Sequence, residues 1–164
     1  MRLKRLVPFM LGAVVSAPLP AADVLNVKLM TLDLAREIAN HTLDACRNQG
    51  YRVSVVVVDR DGAPQVVFRD AYVARFATDI AERKAGAVIL SGVSSGEFRK
   101  NRDDIHAELN EIPGVLLLQG GLPIRAGGSL IGAVGVSGAP GGDKDESCAA
   151  AGIKAVQERL DFVE

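Results

Sequence analysis

Four groups of residues in this chain are of types that do chemistry. Gly92-Val93-Ser94-Ser95-Gly96 matches G-x-S-x-G, a motif that lifts a nucleophilic serine into the open only where a strand turns sharply into a helix. Here it follows a helical stretch and enters a polar one, so a Ser/Gly loop is the better account. Gly138-Ala139-Pro140-Gly141-Gly142 precedes a helix and offers backbone N–H groups to an anion, or else makes a sharp strand-to-helix connection. Asp143 and Asp145 beside it disfavour an anion, and the spacing fits neither a P-loop nor a dinucleotide fingerprint; no nucleotide cofactor is expected. The two histidines, His41 and His106, are too few for a structural metal site, which needs three or four ligands. Arg69 and Asp70, with Arg83 and Lys84 one helix later, read either as a solvated face or as a fork for a carboxylate. No nucleophile–base pair emerges, so no catalytic residue is assigned.

The elements that must position these residues follow from periodicity. Thr31 caps a helix running to about Asn48, with Gly50 as its stop; Ala35, Ile38, Ala39, Thr42, Ala45 and Cys46 recur on one face. Val53–Val58 is a nearly unbroken β-branched run suited to a central strand. After the turn Asp59-Arg60-Asp61-Gly62, Gln65–Phe68 returns as its hairpin partner. A helix from Phe76 to Leu90 is followed by a polar, mobile excursion over 91–113, with a short helix around Asp103–Leu109. Val115–Leu118, Leu122–Arg125 and Ser129–Val136 supply three more strands, and a last helix spans Asp145 to Leu160. Helices at both ends with hairpins between them predict an α+β domain with an antiparallel sheet.

The start of the chain points to a compartment. Arg2, Lys4 and Arg5, the apolar run Leu6–Val15 and the small residues Ser16–Ala22 form a signal-peptide pattern with cleavage near Ala21 or Ala22. The run is too short for a membrane span of about 20 apolar residues, so no stable membrane insertion is expected after cleavage. This divides the chain into a signal peptide, 1–22, and one domain, 23–164, exported by a Sec-type route to the periplasm or beyond. Removing three of the 19 Lys+Arg leaves 16 against 20 Asp+Glu, a formal charge of about −4, which excludes a nucleic-acid partner as the natural reading. Cys46 and Cys148 either bridge the first and last helices, as an oxidising compartment permits, or pack as small buried side chains.

The segments YRVSVVVVDRDGAPQVVFRD (51–70), ERKAGA (82–87) and above all GGLPIRAGGSLIGAVGVSGAPGGDKDESCAAAG (120–152) resemble the GlcG/HbpS family of haem-binding-related domains, over about Leu32 to Leu160. The resemblance implies a profilin-like fold, a five-stranded antiparallel sheet flanked by helices, assembled as a homo-oligomer. It also implies a small-molecule ligand, with haem or another tetrapyrrole foremost. On that reading Phe68 and Phe76 lie against the ring, Arg69, Arg83 or Lys84 meet propionates, and His41 or His106 is an axial ligand. Relatives often carry Gly-Pro-His-Thr where this chain has Ala74-Arg75-Phe76-Ala77, so any iron ligand must come from elsewhere. The alternative is a GlcG-like protein that binds or converts a small molecule without iron, its site near Arg69, Asp70, Arg83, Lys84, the Gly120-Gly121 pair and the Gly138–Gly142 loop.

Overall fold

The computed structural model describes residues 25–162; the expected signal peptide lies outside them. Thr31 accepts a hydrogen bond from Leu34 N and opens α1 (Leu32–Asn48), whose buried residues Ala35, Ile38, Ala39, Thr42 and Cys46 belong to the predicted apolar stripe, with Leu43 buried beside them and Ala45 only half-buried. The strands are β1 (Ser54–Asp59), β2 (Pro64–Arg69), β3 (Gly121–Ala126) and β4 (Ser129–Ser137), and the remaining helices are α2 (Phe76–Ser91), α3 (Ser95–Asn101), α4 (His106–Leu109), α5 (Gly142–Lys154) and α6 (Gln157–Asp161). The strands form one antiparallel sheet in the order β2-β1-β4-β3.

Both faces of the central strand β1 are covered, which is why its sequence is an unbroken valine run rather than an alternating one. Val55 and Val57 face α1 and α5, with Val134, Val136 and Ile124 beside them. Val56 and Val58 face α2, against Ala81, Ala85 and Val88. The α1–α5 contact is closed by a Cys46–Cys148 disulfide joining residues 102 apart, with Cα atoms 5.3 Å apart; of the two readings left open by the sequence, the bridge is the observed one. Glycine makes the close approaches possible. A Cβ on Gly152 would run into the Thr42 hydroxyl, and one on Gly135 into the Ala81 carbonyl.

Three expectations are corrected. The sheet has four strands, not five. Val115–Leu118 is irregular chain, because Val115 and Leu117 pack onto Ala87 of α2 and Leu116 N donates to the Arg83 carbonyl at 3.0 Å. That backbone is held by a helix and has no ladder to join. The excursion is an ordered pair of short helices, α3 beginning well before the predicted one, and the last helix starts at Gly142 and breaks at Ala155–Val156. No helix among the described residues is long and apolar enough to cross a membrane.

Candidate functional site

The predicted residues separate into one buried cluster and scattered positions elsewhere. Lys84 lies on the apolar stripe of α2, in step with Ala81, Ala85 and Val88, and only 3 % of it is exposed. Its ammonium donates to Asp145 Oδ2 and to the Val136 carbonyl, both at 2.8 Å. The other Asp145 oxygen accepts from Ala139 N at 3.0 Å. Burial pushes the Asp145 carboxyl above its ordinary range, and the Lys84 ammonium opposes that rise.

Gly120 and Gly121 cross directly over this pair. Gly120 has φ +126°, and a Cβ there would fall 2.7 Å from Lys84 Nζ and 2.8 Å from Asp145 Cβ, so glycine is required both by conformation and by space. Gly121 lies against the Lys84 carbonyl, and Gly141, the residue preceding α5, accepts from Asp145 N. Gly138, next to Ala139, turns the chain against the Arg52 carbonyl. Lys84, Gly120, Gly121, Gly138 and Gly141 are thus one assembly, and its visible role is to seat α5 on the sheet.

The other candidates are spread out. Arg69 donates to the Val73 carbonyl. Asp70 is buried and takes two hydrogen bonds from Arg47, at 2.6 and 3.0 Å; that guanidinium holds its carboxyl below the usual range. Arg83 binds the Asn110 and Val115 carbonyls, pinning the excursion to α2. Phe76 is 62 % exposed, with the Arg75 guanidinium 4.5 Å above its ring. His41 is exposed on α1. His106 holds its Nδ1 2.9 Å from the Asp103 carbonyl oxygen. Among the described residues no group of three or more His, Cys, Asp or Glu side chains is placed to hold a metal. In the G-x-S-x-G stretch, Ser94 caps α3 by accepting from Glu97 N, while Ser95 donates to the Leu118 carbonyl at 2.6 Å and accepts from Gly121 N at 2.9 Å. Both hydroxyls are fasteners, one for the helix and one for the loop over Lys84.

Two cavities lie where sequence reasoning did not look, on the two sides of α3. One, of about 440 Å³, is a groove lined by Leu90, Ser91, Val93, Phe98, Asn101, Arg102, Leu109 and Ile112. Leu90 and Ile112 are 51 % and 39 % exposed in it. The other, of about 430 Å³, is charged and is lined by Gly96, Arg99, Lys100, Asp103 and Gln119. Both fall in the range of about 300–1,000 Å³ usual for ligand sites. The signal was present in the sequence as two stripes running through α3 into the turn after it, 96-99-100-103 and 98-101-102, but the stretch is too short for its periodicity to be read alone.

An α+β domain with a four-stranded antiparallel sheet, a disulfide between its outer helices and two cavities flanking one short helix defines the class. Residues 30–154 match the family model described as "Haem degrading protein HbpS-like", and the chain belongs to that HbpS-like family. A double mutant of Streptomyces reticuli HbpS is 32 % identical over 88 % of this chain and 99 % of its own, with a TM-score of 0.77. Klebsiella pneumoniae protein ORFY is 22 % identical over 88 % of this chain and 99 % of its own, also with a TM-score of 0.77. A PduOC:haem complex shares the fold at 19 % identity, covering 78 % of this chain and 95 % of its own, with a TM-score of 0.68. No curated protein matches the chain.

Proposed function

We infer that this protein binds haem or a related tetrapyrrole in the apolar groove beside α3. The observation that carries the reading is the groove's composition: Leu90, Val93, Phe98, Leu109 and Ile112 line it, with the exposed Arg102 among them. A tetrapyrrole is a flat apolar ring with carboxylates on one edge, and it needs an apolar wall and a guanidinium together. The groove offers apolar side chains for the ring and one guanidinium for a carboxylate. Its lining contains no histidine, cysteine, methionine or tyrosine, the usual protein ligands to haem iron. Phe98 and Leu109 would hold the ring and Arg102 a propionate; when bound, haem supplies a redox-active iron. Family membership and the haem-bound PduOC neighbour support the ligand class. A second reading, a small molecule bound without iron ligation, is favoured by the same lack of an axial residue.

A hemin titration of the purified protein, followed at the Soret band, tests this. Saturable binding that weakens about tenfold or more in Ile112→Asp or Arg102→Glu is expected, since a buried charge or a reversed one removes what the groove offers. Retention of the band in His41→Ala and His106→Ala is expected too. A titration that never saturates, or that is unchanged in both groove variants, refutes the proposal. The second reading then stands.

The same proposal places the protein outside the cytoplasm, in the periplasm or secreted, and as a homo-oligomer. The Cys46–Cys148 bridge supports export, because such bonds persist in oxidising compartments. N-terminal sequencing of periplasmic protein should begin at Ala22 or Asp23; an unprocessed chain confined to the cytosol would overturn this. Light scattering should give a mass several times that of one chain.

A further inference from the structure

We propose that the charged cavity on the opposite side of α3 is a second ligand site, for a free amino acid. Arg99 and Lys100 line it. Among the described residues, Arg99 is the one arginine with no hydrogen bond, ion pair or ring contact; the others hold carboxylates, carbonyls or, in Arg75, an aromatic ring. Lys100 likewise has no partner there. An unpaired guanidinium beside an ammonium, both opening on about 430 Å³ of space, is a receptor for a carboxylate, which a guanidinium fork meets with two parallel hydrogen bonds.

The rest of the wall selects for a second feature. Asp103 lines the same cavity, and Gln119 contributes an amide. Behind them Glu146 keeps Oε2 out of solvent without a hydrogen-bond partner, 3.3 Å from the point a Cβ on Gly96 would occupy. A lining that carries both signs, Arg99 and Lys100 together with Asp103, disfavours a simple multivalent anion and favours a molecule carrying both signs. Carboxylate on Arg99 and Lys100, ammonium toward Asp103, is the pairing this layout permits. Gly96 matters to the volume: a Cβ there would meet Gln119 Cγ at 2.9 Å, pushing that side chain into the space a ligand would use.

Isothermal titration with L-glutamate, L-alanine and succinate, on the intact protein, tests the site apart from the groove. Saturable binding of at least one of the two amino acids is expected, weakened between about 10- and 100-fold in Arg99→Ala and by a similar factor in Asp103→Asn. Both side chains are exposed, so neither change threatens folding, and hemin affinity should stay the same in both variants. No saturable heat with either amino acid overturns the proposal, as does unchanged affinity in Arg99→Ala. Succinate binding as tightly as L-glutamate would overturn the ammonium half and leave a carboxylate site alone. A hemin titration that never saturates, or that is unchanged in both groove variants, with amino-acid binding intact, would sink only the haem reading.

Discussion

Replacing Lys84 by methionine should be among the most damaging single changes available in this chain. The side chain is 3 % exposed and spends its charge on Asp145 and on the Val136 carbonyl. Methionine of similar length leaves the Asp145 carboxylate buried with the Ala139 N–H as its remaining donor. Breaking a buried pair from one side costs about 3–5 kcal/mol, a large part of the about 5–15 kcal/mol that holds an ordinary domain together. In a urea titration followed by circular dichroism, with a slope near 2 kcal/mol/M, the midpoint should fall by about 2 M. Adding Asp145→Asn removes the stranded charge and keeps an acceptor for Ala139, so the double variant should recover much of the loss. The pH response has a defined sign. Burial sets the folded carboxyl above its ordinary 3.8, and removing Lys84 raises it further. The folded variant therefore takes up the proton first; its stability rises as pH falls through the folded value and is fully regained below the unfolded one. A loss under about 1 kcal/mol, strictly additive double-variant costs, or no recovery in acid would refute this account of the pair.

Three other outcomes follow from the geometry. Reducing the Cys46–Cys148 bridge, or replacing both cysteines by alanine, releases a loop of 102 residues and should cost about 2–5 kcal/mol, read as a lower urea midpoint with dithiothreitol than without. Asp70→Asn should flatten the acid limb of the stability profile. Arg47 holds that carboxyl below 3.8 in the folded state, so its contribution exists above 3.8 and disappears as pH falls through the folded value; with Arg47 half in solvent, the loss at neutral pH should stay near 1 kcal/mol. Gly152→Ala should lower the midpoint by more than an ordinary surface glycine change would, because its Cβ meets Thr42 and the Ile38 carbonyl of α1; a gain in stability would contradict the packing of α1 on α5.

The elements with strong periodicity were legible from sequence: α1, the valine strand and its hairpin, α2, and the β3–β4 hairpin around Gly127-Gly128. Val115–Leu118 was not, because a four-residue apolar alternation looks the same whether its backbone bonds go to a strand or, as here, to a helix carbonyl. Lys84 read as a solvated cation or a partner for a ligand carboxylate, since its own partner is 61 residues away; the clue was its place in the stripe Ala81-Ala85-Val88. The family resemblance led toward Arg69, Phe76 and the glycine loops, whereas the apolar groove and the charged cavity flank α3, where a seven-residue helix with polar neighbours carries too little pattern to expose two faces. Phe76 sits on the surface under Arg75, away from both linings.

Helix α3 is a wall common to both cavities, and its side-chain fastenings are few: the Ser94 cap and the Ser95 hydroxyl on Leu118 and Gly121. A partition that shifts for an occupant on one side reshapes the room on the other. Two ligands divided by such a partition obey linkage: whatever factor the first applies to the affinity of the second, the second applies to the first. Measuring hemin affinity with and without saturating L-glutamate, and the reverse, would give the same ratio twice, and RT times its logarithm is the coupling free energy across those seven residues.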